Sequence, residues 1–157
     1  MHDDSRLEQR FFRKHDGEIS DICVHPNGII CASAQLSKRN PTVYVWNSGG
    51  AKEPIIEPTH ASLPAKHRPK IISKLFIDRT GGATAIDFSP DGKLLLTVSD
   101  NMNHTLTIWD WKLKERLVEG KCGPSSIYNA RFNPFQHYVD NQNDMFSEKC
   151  YTITTSG

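Results

Sequence analysis

Two short signatures recur along this chain at matched spacing, and that recurrence limits the folds open to it more than any other feature. The first signature is an alternating strand that delivers proline into a turn. It occurs as Ile19-Ser20-Asp21-Ile22-Cys23-Val24-His25-Pro26-Asn27-Gly28, as Ala83-Thr84-Ala85-Ile86-Asp87-Phe88-Ser89-Pro90-Asp91-Gly92, and as Ile127-Tyr128-Asn129-Ala130-Arg131-Phe132-Asn133-Pro134-Phe135. Proline presets φ, and Asn27-Gly28 or Asp91-Gly92 supplies the left-handed residues that a tight hairpin needs. The third copy has Phe135 and no glycine, so its turn must differ. The second signature is a β-branched run ending in tryptophan, Pro41-Thr42-Val43-Tyr44-Val45-Trp46-Asn47 and His104-Thr105-Leu106-Thr107-Ile108-Trp109-Asp110. Pro26 precedes Trp46 by 20 residues and Pro90 precedes Trp109 by 19, so the two signatures keep register.

Pro90 and Pro134 are 44 residues apart, a period of roughly 40–45 residues that fits a four-stranded propeller blade ending in Trp-Asp. Thr97 to Trp111 is the best-formed part of a unit. Two runs of β-branched and aliphatic residues flank the polar turn Asp100-Asn101-Met102-Asn103-His104, a hairpin pattern. The expected fold is all-β, a set of incomplete β-propeller blades, about two and a half, forming an open fragment. Residues 1–18 hold a polar N-terminus and, at Gln9-Arg10-Phe11-Phe12, the closing strand of a preceding blade. Residues 19–82 form the first blade, 83–126 the second and 127–157 a truncated third. Repeat units do not bury their faces alone, and a closed propeller needs at least four blades, so remaining blades are expected as partners of this chain.

Two insertions interrupt the period. Pro26 and Pro90 are 64 residues apart, and the excess lies at 49–70, with Pro54, Pro58, Pro64 and Pro69. Such a segment cannot occupy a sheet interior and reads as a long surface loop. An outer strand is expected to follow at Ile71 to Ile77. The second insertion, 137–149, is a polar loop inside the third unit.

The charges nearly cancel, with 19 Lys and Arg against 18 Asp and Glu, so a globally basic nucleic-acid binder is not indicated. No run of about eighteen apolar residues occurs, and no membrane span is expected. Cys23, Cys31, Cys122 and Cys150 make no C-x-x-C pair. Cys23 and Cys31 fall within apolar runs, where a thiol behaves as a small hydrophobe, and a reduced, cytosolic interior is the favoured reading. The seven histidines show no metal-ligand spacing, no strained Ser turn or Gly-rich phosphate cradle is present, and neither catalysis, a cofactor nor a metal is expected.

With these residues laid out, the chain resembles the WD-repeat superfamily and, more narrowly, the echinoderm microtubule-associated protein-like family, as a fragment of the first propeller. Gln9-Arg10-Phe11-Phe12 followed by His15-Asp16 resembles the strand and Gly-His-x-Asp turn opening an early blade, with Lys14 where glycine is usual. Asp21 to Pro26 resembles that blade's first strand, and Ala130-Arg131-Phe132-Asn133-Pro134 the opening of the next. Ser99 to Trp111 matches best, because family members carry a similar acidic-Ser-Asn-x-His turn before Trp-Asp-Trp. The resemblance implies a non-enzymatic protein of the cytoplasm and cytoskeleton, including the cilium. It implies binding to tubulin, microtubules or other cytoskeletal proteins through propeller loops. A WD-repeat scaffold of another assembly, in signalling or ubiquitin transfer, is the alternative.

Two surfaces are candidates for partner contact. From Gly50 to Arg79, six basic residues face three acidic ones, and Lys66, His67, Arg68 and Lys70 cluster where an acidic partner could meet them. Asp100, Asn101, Asn103 and His104 form the other surface, expected on the face opposite the 49–70 loop. His15, Trp46, Ser99, Trp109 and Asp110 are read as structural, since buried hydroxyl, carboxylate and indole groups need hydrogen-bond partners.

Overall fold

The computed structural model describes residues 11–49, 69–77 and 81–133, together with the backbone of 151–155. These hold ten strands and no helix. The first sheet is β1 (Glu18–Val24), β2 (Ile30–Leu36), β3 (Thr42–Asn47) and β4 (Lys70–Phe76). The second is β5 (Ala83–Phe88), β6 (Leu94–Ser99), β7 (Thr105–Asp110) and β8 (Glu115–Lys121). Each is an antiparallel meander in chain order, and β9 (Ile127–Phe132) pairs antiparallel with β10 (Tyr151–Thr155). Two four-stranded sheets and a strand pair make an open arc of propeller blades.

The repeat extends to irregularities that no sequence pattern exposed. The β1/β2 register slips between Ile19 and Asp21, and the β5/β6 register between Ala83 and Ala85. The β3/β4 register slips at Val45/Trp46, and β7/β8 at Ile108/Trp109. A bulge strengthens local twist, so bulges at equivalent positions give both sheets one shape and let them stack. The proline turns also match. Gly28 N–H donates to the His25 carbonyl and Gly92 N–H to the Ser89 carbonyl, both at 2.8 Å. Only the glycine of each turn is left-handed, with φ of 71° at Gly28 and Gly92. Asn27 and Asp91 are not, which corrects the expectation for those pairs. Proline at the second position sets a type I turn, whose third residue stays at negative φ.

Alternation puts one face of each sheet against its neighbour. Cys23, Ala32, Ala34, Val43, Val45 and Leu75 on the first sheet pack on Ile86, Phe88, Leu95, Trp109 and Trp111 of the second unit. The other face of the second sheet, with Leu96, Val98, Leu106 and Ile108, packs on Ile127, Ala130 and Phe132 of β9. At about 25 cal/mol per Å2 of apolar surface, each fully buried large side chain contributes roughly 2 kcal/mol, and these two seams hold nearly all the buried apolar side chains among the described residues. Trp111 is 1 % exposed and its indole N–H donates to the Gly92 carbonyl at 2.9 Å. His25 of the first unit reaches the same carbonyl at 3.0 Å. Its Nδ1 accepts from the Asn27 N–H, leaving Nε2 as donor.

Two expectations meet a difference here, and one strand was not foreseen. Phe11 and Phe12, the described half of the anticipated closing strand, pair with no strand among the described residues, and Phe12 instead stacks on Trp46. The outer strand is Lys70–Phe76, starting and ending one residue before the expected Ile71 to Ile77. Strand β8 was not singled out in the sequence because Glu115, Arg116, Glu119 and Lys121 break its apolar pattern. All seven residues are exposed, and such charges protect a sheet edge from further pairing. Of the two expected insertions, 49–70 and 137–149, residues 50–68 and 137–149 lie outside the described residues, and Lys70 belongs to β4 and not to the loop. Among the described residues no helix is long and apolar enough to cross a membrane, and Cys23, Cys31 and Cys122 are free thiols.

Lys114 is exposed in the β7–β8 turn at φ 63°, a left-handed position without glycine. A non-glycine residue there costs about 1 kcal/mol, partly offset by the greater unfolded-state freedom of glycine. Lys114→Gly is therefore expected to stabilise the chain by about 0.5 kcal/mol, read as a higher denaturation midpoint with unchanged slope in urea.

Candidate interaction surfaces and the polar networks beneath them

The β6–β7 turn is wired from within. The Asn101 carboxamide oxygen accepts the N–H groups of Asn103 and Thr105, both at 3.1 Å, and its NH2 donates to the Thr105 hydroxyl at 2.9 Å. Ser99, 3 % exposed, accepts the Thr105 N–H through its hydroxyl. Asn101 and Ser99 thus hold the turn, while Asp100, Met102 and Asn103 face outward, Met102 at 90 % exposure. The Asn103 carbonyl accepts from Cys122 and Gly123, anchoring the turn to the segment after β8. His104 closes the turn at φ 43°, half-buried, with an Nδ1 that makes no hydrogen bond.

Lys70 opens β4, exposed, opposite Asn47. Ser48 N–H donates to the Ile29 carbonyl, which puts this end of the sheet beside the β1–β2 turn. The 100–104 turn is at the other end, where Asp100 N–H donates to Gly82 and Gly82 bridges Leu36. Lys70 and the 100–104 turn therefore occupy opposite ends of the strands. Lys66, His67 and Arg68 lie outside the described residues.

His15, Trp46 and Trp109 sit in hydrogen-bonded networks. In the first sheet the Trp46 indole N–H donates to the Ser33 hydroxyl at 3.0 Å, and Ser33 also contacts His15 Nε2 at 2.7 Å. His15 Nδ1 meets the Gln35 carboxamide oxygen at 2.8 Å. An oxygen acceptor on Nδ1 assigns the proton there, so Nε2 accepts the Ser33 hydroxyl proton. Phe12 stacks on Trp46 with centroids 4.6 Å apart and planes 5° from parallel. In the second sheet Trp109 donates to the Thr97 hydroxyl at 2.9 Å, and the Arg116 guanidinium lies 5.0 Å over the ring. Asp110 receives the N–H groups of Lys112 and Leu113, closing the last turn.

Two clusters escaped the sequence reading. Gln35 is 0 % exposed and accepts from His15 and the Asp16 N–H while donating to Asp16 Oδ1 and the Asn40 carbonyl. A lone amide in the apolar run from Ile29 to Leu36 was the available signal. The second cluster is Asp21, Asp87 and Arg131 on the first strands of the three units. Asp21 accepts the Ile86 N–H at 2.9 Å, Asp87 accepts the Phe132 N–H at 2.8 Å, and Arg131 reaches Asp21 at 3.3 Å. Burial raises the Asp87 carboxyl above the usual carboxylate range, against the opposing pull of the Phe132 N–H and Arg131. Burial, with the nearby Asp87 and Asp21 charges, pushes the Cys23 thiol far above its ordinary value, which leaves it an inert packing group. Among the described residues no group of three or more His, Cys, Asp or Glu is arranged to hold a metal ion.

Repeated four-stranded meanders stacked face to face, each with an indole tied to a hydroxyl one strand inward, define a β-propeller repeat protein. The chain belongs to the WD40 family: the WD domain, G-beta repeat model matches residues 7–47 and 72–110. It is similar to echinoderm microtubule-associated protein-like 1 of Rattus norvegicus and of Homo sapiens, at 29 % and 28 % identity, over 80 % of this chain and 14 % of each relative. The 77 kDa echinoderm microtubule-associated protein of Strongylocentrotus purpuratus is 24 % identical over 80 % of this chain and 17 % of its own length. The chain thus spans less than a fifth of these relatives. Among solved structures, the RRP9 WD40 repeats superpose with a TM-score of 0.57 at 15 % identity, over 80 % of this chain and 32 % of that one. The Cps50 (Swd1) β-propeller domain of Myceliophteria thermophila gives 0.53 at 18 % identity, over 76 % and 30 %.

Gln35→Leu keeps the volume and strands the His15 Nδ1–H and the Asn40 carbonyl. The expected loss is about 2–3 kcal/mol of unfolding free energy by chemical denaturation, the cost of orphaned buried polar groups. Asp87→Asn tests the raised carboxyl. A carboxyl raised in the folded chain binds its proton more tightly there than when unfolded, so stability falls as pH rises from its ordinary value through its raised one. Asparagine keeps an acceptor for the Phe132 N–H and does not titrate. The melting-temperature difference, variant minus parent, is expected to grow as pH rises through that interval and then level off. A flat difference contradicts the assignment.

Proposed function

We propose that this chain is a non-enzymatic interaction segment of the cytoskeleton that binds tubulin or microtubules, or another cytoskeletal protein, through loops at the ends of its sheets. The observation that carries this reading is the similarity along 80 % of the chain to proteins named as microtubule-associated. The geometry agrees with a binding role. The described histidines and serines of the polar networks hold turns and strands together by hydrogen bonds, and the outward side chains of the 100–104 turn stand on a rigid base. The Lys66-His67-Arg68-Pro69-Lys70 cluster suits an acidic partner surface, with attraction that weakens as salt rises.

Co-sedimentation with stabilised microtubules tests the reading at low and raised salt, with circular dichroism on the same sample to confirm folding. The parent chain is expected to pellet at low salt and less at high salt. The Lys66→Glu, Arg68→Glu, Lys70→Glu triple variant is expected to stay in the supernatant, while Asp100→Ala with Asn103→Ala reports on the opposite end. A folded parent chain that never pellets refutes direct microtubule binding by this segment and favours a scaffold role in another assembly.

A further inference from the structure

Among the described residues, the first strand of each unit pairs on one edge only, β1 with β2, β5 with β6 and β9 with β10. The other edge carries backbone groups that need partners. At Ile86 in β5 both are met by side chains of other units. Its N–H donates to Asp21 Oδ2 of the first unit at 2.9 Å, and its carbonyl accepts from Arg131 Nη1 of the third at 2.7 Å. The same Nη1 lies 3.3 Å from Asp21 Oδ2, 110 residues away in sequence. Two units that are not neighbours in the arc therefore meet at the backbone of one residue of the unit between them.

We infer that this arrangement is a conformational clip: Asp21, the backbone N–H and carbonyl of Ile86, and Arg131 couple the first unit directly to the third, so that β9 loses part of its hold on the arc when β1 is displaced. Asp21 draws Arg131 to the Ile86 carbonyl, and Arg131 in turn neutralises a carboxylate that takes the Ile86 N–H. Asp87 holds β9 separately, through the Phe132 N–H, and belongs to the second unit. Apolar packing of Ile127, Ala130 and Phe132 also holds β9, and it is the alternative to the clip, because none of those contacts involves Asp21.

Amide hydrogen exchange on the full chain separates the two. Asp21→Asn keeps an acceptor for Ile86 and removes the charge facing Arg131, while Arg131→Met keeps the stem and removes the guanidinium. With the clip, each variant speeds exchange at 127–132 by about tenfold, the scale of a charged hydrogen bond, while β6 and β7 amides keep their rates. The double variant is no faster than Arg131→Met alone. Unchanged exchange at 127–132 in Asp21→Asn, or effects that multiply in the double variant, overturns the clip. Should Arg131→Met fail to fold, Arg131→Lys is measured in its place with the same expectation, since its point charge cannot reach both acceptors.

Discussion

Face-to-face packing between neighbouring sheets is the constraint on which the rest of this structure depends. One sheet presents small side chains, Cys23, Ala32, Ala34, Val43 and Val45, and the next presents Phe88, Trp109 and Trp111. Neither face is buried within its own sheet, so each unit is stable only against another. That requirement explains why bulges recur at equivalent places: two sheets stack closely only if they twist alike. It also explains the exposure of Ile22 and Val24, at 55 % and 59 %, on the face of the first sheet turned away from the second. Their counterparts Ile86 and Phe88 are at 0 % and 5 %.

Polar side chains fix what apolar packing leaves free. Apolar contact is non-directional, whereas a hydrogen bond to one backbone group is met in only one alignment of the sheets. The Gly92 carbonyl, shared by Trp111 and His25, fixes the two sheets at one end. The Gly82–Leu36 bridge and the Ser37–Gly81 hydrogen bond fix them at the other. Gly82 must lack a side chain there, because a Cβ would overlap the Gln35 carbonyl oxygen and φ is 112°. Along the inner edge, Asp21, Asp87 and Arg131 cap strand groups that have no sheet partner. Loops at the strand ends can then differ without disturbing the frame, which is how one scaffold presents different contact surfaces.

The two sheets reach the same result by different means. In the first, Trp46 is covered by Phe12 and its hydroxyl partner is held by His15 and Gln35. In the second, Arg116 covers Trp109, and Thr97 takes the place of Ser33. The first arrangement depends on one fully buried amide with all its groups engaged, which makes it directional and intolerant of change. The second uses an exposed cation over an indole face, worth less and easier to vary.

The sequence by itself determined the fold class, the order of the units, the proline turns and which strand ends in tryptophan. These are local properties: period-two alternation, a fixed φ at proline, a left-handed glycine, and a spacing that keeps two signatures in register. It did not reveal β8, whose charges hide its period, or the single left-handed residue of each proline turn. It gave no sign that Gln35 would be a hub or that Asp21 and Arg131 would meet at Ile86. Those depend on which strands of separate units come side by side, and hydrogen bonds between residues 110 apart leave no periodic trace in a chain. Only the stacking of the sheets decided them.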